Sequence, residues 1–154
     1  MKKGIVTIIV IIGLVYLLSL RVTWPKPSMG EACKSLPRFE DYVIESQDGV
    51  IGVIDLDSNK MAKEEMEREL LSATGSAINY AGKFVVVNHE CGLGCQKHAV
   101  INQETSKIIF YGLQTDKLFK YQVNSRLVKA DDRYYEFKDN EMNYLCEYGS
   151  STSR

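Results

Sequence analysis

Hydrophobic positions follow three different rhythms along this chain. From Gly4 to Leu20 the run GIVTIIVIIGLVYLLSL contains no charge. Lys60 to Ser72 reads as one amphipathic helix. Met66 and Leu70 stack at i, i+4, while Lys63–Glu67 and Glu64–Arg68 set opposite charges at the same spacing. Asp57-Ser58-Asn59 supplies its N-cap, and Gly75 ends it. Beyond Phe84 the rhythm shortens to β-branched and aromatic runs broken by polar pairs, which predicts strands.

The strand candidates are Val50–Asp55, Phe84–Val87, Ala99–Ile101, Lys107–Tyr111, Leu118–Val123, Arg126–Lys129, Arg133–Phe137 and Met142–Cys146. Asn102–Ser106 reads as a hairpin turn. Asn124-Ser125, Asp131-Asp132 and Asp139-Asn140 punctuate the later strands. The expected fold is α+β: an N-terminal membrane helix, then a small domain with an antiparallel β-meander and one amphipathic helix. The expected boundaries are a signal-anchor or transmembrane segment over 1–22, a linker over 23–37, the β-rich domain over 38–148 and a disordered tail over 149–154. All three prolines (Pro25, Pro27, Pro37) fall in the linker.

The 17 residues from Gly4 to Leu20 would span about 25 Å as a helix, against about 30 Å of hydrocarbon. They read as a marginal spanning helix or a long signal-peptide core. No small-residue cleavage site follows promptly; the first candidate pairs are Ser28/Gly30 and Gly30/Ala32. A retained anchor is therefore expected, with the lipid bilayer as partner through residues 4–20 and Trp24 at the interface. Lys2 and Lys3 would stay cytoplasmic, which places the domain outside.

Net charge changes the picture once the anchor is set aside. The whole chain carries −1, but residues 1–27 hold four cations and no acid. The remainder has 15 Lys and Arg against 20 Asp and Glu. That balance argues against nucleic acid, which calls for a basic footprint, and permits a basic partner.

Four cysteines lie in the exported part: Cys33, Cys91, Cys95 and Cys146. An even count in an exported domain favours disulfides. Three connectivities exist; Cys91–Cys95 with Cys33–Cys146 is preferred, because the glycines of Cys91-Gly92-Leu93-Gly94-Cys95 permit a tight loop. Two other readings stay open. His89, Cys91, Cys95 and His98 have zinc-ligand chemistry, though not a common zinc spacing, and the two close cysteines could form a redox dithiol. No metal and no cofactor is expected.

Asn79-Tyr80-Ala81-Gly82-Lys83-Phe84, the strand after it, the Cys91–Cys95 loop, Ala99-Val100-Ile101 and the turn before Lys107-Ile108 resemble a group of small exported bacterial proteins of unassigned function. Their pattern is Asn-Phe-Ala-Gly-His-Tyr, a strand, Cys-Gly-x-Gly-Cys, a second strand and a Thr-Gly-Lys turn. The likeness covers about residues 60–112. Tyr80, Lys83 and Phe84 depart from it, Ser106 replaces the turn glycine, and His89-Glu90 replaces a Trp-Gly. The resemblance implies export and fold more than activity. It places the anchor in a bacterial inner membrane and the C-terminal domain on the periplasmic or extracytoplasmic side, with cleavage and secretion to the periplasm as the alternative.

No catalytic residue is expected. There is no Gly-x-Ser-x-Gly elbow, phosphate loop or paired-His zinc motif. The expected function is a membrane-tethered, non-catalytic binding domain of the cell envelope. Its candidate binding loop is His89, Glu90, Gly92, Leu93, Gly94, Gln96 and His98, turned toward a protein partner as an inhibitor or a scaffold would be. Tyr111, Tyr121, Tyr134, Tyr135, Tyr144 and Tyr148 crowd the C-terminal half, split between core and surface. The alternative is an envelope enzyme or thiol/metal protein using His89, Cys91, Cys95 and His98.

Overall fold

A computed structural model of the chain describes residues 31–149. The expected membrane segment Gly4–Leu20 and residues 150–154 of the expected tail lie outside the described residues. Among the described residues, no helix is long and apolar enough to cross a membrane.

The described residues form an α+β fold, with one α-helix, two short 3-10 helices and two antiparallel three-stranded sheets. Helix α1 is Lys60–Ser72. Sheet 1 holds β1 (Phe84–Gly92), β2 (Cys95–Asn102) and β3 (Ile108–Thr115). Sheet 2 holds β4 (Leu127–Ala130), β5 (Arg133–Lys138) and β6 (Glu141–Glu147). The expected single meander is therefore two. They separate where the chain between Thr115 and Leu127 leaves sheet 1.

Strand alternation explains the layering. Val85 and Val87 point to one face of sheet 1 and pack with Ala62, Met66 and Leu70 of α1. Phe84 and Val86 point to the other and pack with Phe119 and with Val128, Tyr135 and Phe137 of sheet 2. Phe84-Val85-Val86-Val87 is apolar throughout because both of its faces are covered. The outer face of sheet 2 is closed by residues before α1: Leu127, Tyr134 and Cys146 pack with Cys33, Phe39 and Tyr42. Residues 31–37 of the expected linker thus belong partly to the domain. Ala32 bridges Glu147 in parallel, and Cys33 is bonded to Cys146.

The helix start follows the sequence reading. The Asn59 side chain accepts from the Ala62 amide at 3.0 Å. Gly75, two residues past the C-cap Ala73, takes φ +83°. The expected i, i+4 charge pairs do not form. Lys63 binds Asp57 (2.8 Å) and Arg68 binds its neighbour Glu69 (2.8 Å). The helix is interrupted at buried Met66, where φ is −140°.

Two expected strands are absent. Val50–Asp55 buries Ile51 and Ile54 and leaves Val53 80% exposed. Burial three apart is not a strand's alternation, and only its ends pair: Val50 with Ala77 and Asp55 with Lys107. Leu118–Val123 pairs at a single point, Lys120 with Lys129. The Asn102–Ser106 turn forms as expected. The Asn102 carboxamide oxygen accepts from Glu104 and Thr105 amides, and Ser106 takes φ +55°, where glycine would sit without strain.

Candidate functional site

Both disulfides pair as preferred. Cys33–Cys146 joins residues 113 apart in sequence, and Cys91–Cys95 joins residues 4 apart. The second is not set in an irregular loop. β1 and β2 continue to the end of their hairpin, Gly92 pairs with Cys95, and only Leu93 and Gly94 form the tip. Gly92 and Gly94 take φ +134° and +65°. The Leu93 side chain is fully exposed.

The two histidines of the candidate site lie on opposite faces of sheet 1. His89 pairs across the strands with Lys97, whereas Asn88 pairs with His98. By alternation, His89 and Lys97 face α1, and Asn88 and His98 face the other side. The α1 face is polar at this end. His89 Nδ1 lies 3.5 Å from Glu69. Glu65 accepts from Lys97 Nζ and from the Tyr111 hydroxyl at 2.7 Å. Those two donors, Lys97 first, hold the Glu65 carboxyl below the usual range.

His98 is fully buried, so it is not available to a partner. Its ring stacks on Phe119 with centroids 3.5 Å apart. Thr115 donates its hydroxyl proton to the Lys117 carbonyl at 2.6 Å. The same oxygen can then only accept from His98 Nε2, 2.8 Å away. Nδ1 lies 2.8 Å from Asn88 Oδ1. With Nε2–H given to Thr115, a neutral ring leaves Nδ1 as an acceptor, which the Asn88 side chain serves when its amide is turned so that its N–H faces the ring. Burial pushes His98 down to about 4, with Asp131 opposing. No sequence signal pointed to this network, because Thr115 and Phe119 are distant in the chain.

The candidate chemistry is therefore dispersed. Cys91 and Cys95 are bonded to each other, and His89 and His98 are separated by the sheet. Among the described residues, no three His, Cys, Asp or Glu side chains converge as a metal site would require. The tyrosines do not form one surface either: Tyr134 and Tyr135 are buried, whereas Tyr144 and Tyr148 are exposed.

What does converge is a groove at the end of the hairpin. Arg68 and Glu69 of α1, Asn88 and Glu90 of β1, tip residue Leu93 and exposed Leu118 line it. Glu90, Gly92, Leu93, Gly94 and Gln96 thus lie together at or beside this end, as the sequence suggested. Leu118 and Arg68 were missed, since neither is near the cysteines in sequence.

The Asn79-Tyr80-Ala81-Gly82 motif lies away from this groove and has a structural job. Asn79 binds the β1 edge at Val86. Tyr80 is buried and donates its hydroxyl to the Arg126 carbonyl at 3.1 Å. Ala81 and Gly82 take positive φ, and their amides bind the Gln122 and Val123 carbonyls. Searches with this chain match no protein-family model, no curated protein and no solved structure.

Proposed function

We propose that this chain is a membrane-tethered, exported, non-catalytic binding domain of the bacterial envelope that presents the Cys91–Cys95 hairpin end to a protein partner. The observation that carries this reading is the hairpin tip. A covalently closed turn holds an apolar side chain, Leu93, fully in solvent beside a second exposed leucine, Leu118. Solvated leucines at a rigid tip are costly for a lone monomer and useful at an interface. The closed turn also loses little conformational freedom on binding, which favours affinity.

Export is supported by two sources. Gly4–Leu20 carries no charge over the length of a signal anchor. Two disulfides and no free cysteine among the described residues fit an oxidising compartment. The enzymatic alternative has less support, because its four candidate residues are split between a disulfide and two faces of a sheet.

A photo-crosslinking residue at position 93 of the full-length chain, expressed in its native envelope, tests the reading. A discrete adduct is expected from position 93 and none from Val53, an exposed apolar control on another segment. Equal labelling from both positions would count against the tip as the contact. Protease protection of residues 31–149 in intact cells tests export separately.

A further inference from the structure

The backbone of β1 divides into a covered and an uncovered half. Val86 turns both its N–H and its C=O away from β2, since both are bound by the Asn79 side chain (2.8 and 3.3 Å). Phe84 does the same: its N–H donates to Tyr80, and its C=O accepts from Asn79 and Tyr80 amides. The β1–β2 register runs without interruption from Phe84 to Glu90. By the strand's period of two, Asn88 and Glu90 also face their backbone groups outward. Among the described residues, nothing pairs with the N–H or C=O of Asn88 or with the N–H of Glu90.

That uncovered stretch lies in the groove at the hairpin end. α1 contributes Arg68 and Glu69 on one side of it, and Leu118 stands on the other. Leu93 closes one end. An open strand edge pairs with an extended segment unless something blocks it. The stretch has no proline, its one charge is the exposed carboxylate of Glu90, and the β1–β2 register slips only beyond it, between Glu90 and Gly92. Among the described residues, Glu90 has no ion-pair partner, whereas Glu69 is already held by Arg68 and faces His89.

We infer that the β1 edge at Asn88–Glu90 is a strand-addition site for an extended segment of a partner protein that carries a basic residue and an apolar residue. Backbone pairing holds the segment, Glu90 receives the cation, and Leu93 and Leu118 receive the apolar side chain. The short edge explains why the site is selective and not merely sticky. Three backbone groups are too few to hold a strand without the side-chain contacts. This inference rests on the hairpin end being the binding end, and adds the manner of binding and the chemistry of the partner.

The test uses the full-length chain, isotopically labelled, and three capped peptides. These are Ac-Leu-Lys-Val-Lys-Leu-NH2, its glutamate counterpart Ac-Leu-Glu-Val-Glu-Leu-NH2, and the lysine peptide with every amide N-methylated. The lysine peptide is expected to bind, shifting the Asn88 and Glu90 amide signals and slowing their hydrogen exchange. The glutamate and N-methylated peptides are each expected to bind at least tenfold more weakly. Glu90→Lys, an exposed substitution, is expected to reverse the preference between lysine and glutamate peptides. Lysine-peptide binding that survives N-methylation, or that shifts β3 or β6 amides instead, would overturn strand addition. Shifts of the Asn88 and Glu90 amides on concentrating the protein alone would make a second copy the occupant and overturn it too. Failure with the peptides but retention of the position-93 adduct removes strand addition and leaves the tip contact. The reverse outcome upholds the edge and removes the tip.

Discussion

Asn79 completes the edge of β1 by bonding both backbone groups of Val86: its carboxamide oxygen accepts from the Val86 amide at 2.8 Å and its nitrogen donates to the Val86 carbonyl at 3.3 Å. One side chain stands in for a neighbouring strand. Val86 is buried, so losing this partner strands two backbone groups away from water. Asn79→Ala should destabilise the domain by about 1–3 kcal/mol. Denaturant titration measures the loss, and faster hydrogen exchange at Val86 locates it. Unchanged exchange at Val86 would remove the edge-capping role.

Gly82 makes a different kind of demand. Its φ is +79°, and a Cβ there would come 2.4 Å from the Glu45 carbonyl oxygen. That oxygen is backbone and has little room to retreat. Gly82→Ala should therefore cost more than the ~1 kcal/mol typical of forcing alanine into a glycine conformation. Gly94→Ala is the control, since φ is +65° there but nothing lies within 4 Å of the added atom. Thermal melts of the two variants should differ, with Gly82→Ala the lower. Equal melts would refute the steric account.

His98 should make stability depend on pH. Its folded value is about 4 against 6.5 for the free side chain. Between those values the unfolded chain binds more protons, so stability rises with pH across that window. It is full above about 6.5 and falls as the pH drops toward 4. The span corresponds to about 3 kcal/mol. His98→Gln should lose this part of the slope, measured as the difference in unfolding free energy from wild type at pH 4.5 and pH 7. An identical slope in both proteins would mean His98 is not the titrating group.

The two disulfides should contribute unequally. Closing 113 residues constrains the unfolded chain by about 5 kcal/mol in the chain-entropy view, and closing 4 by about 2. Replacing Cys33 and Cys146 together by Ser should lower the melting temperature more than replacing Cys91 and Cys95. The opposite order would show that the hairpin staple carries more than loop closure.

Much of the fold was legible because it depends on local chemistry. The Asn59 cap, the Met66–Leu70 stripe and the Asn102–Ser106 turn are all set by residues a few positions apart. The disulfide pairing followed from the glycines between Cys91 and Cys95, which left Cys33 and Cys146 to each other. What escaped is non-local. Phe84-Val85-Val86-Val87 reads the same whether one sheet or two will cover it, so the division into two sheets left no trace. Val50–Asp55 looked like a strand because β-branched residues are counted by type, whereas burial at Ile51 and Ile54 is decided by contacts with α1. The groove at the hairpin end was legible at Glu90 and Leu93 but not at Leu118 or Arg68, which arrive from other elements. His98 was placed in the candidate binding loop, yet Thr115 and Phe119 enclose it.

The Cys33–Cys146 bond has a mechanical consequence. It sits beside the Ala32–Glu147 bridge, so the chain enters and leaves the domain at one place, with the two Cα atoms 5.0 Å apart. A pull applied between those two ends is borne by a covalent bond. It cannot peel β6 from β5 or unzip the core, and the hairpin end stays in shape while the domain is under tension.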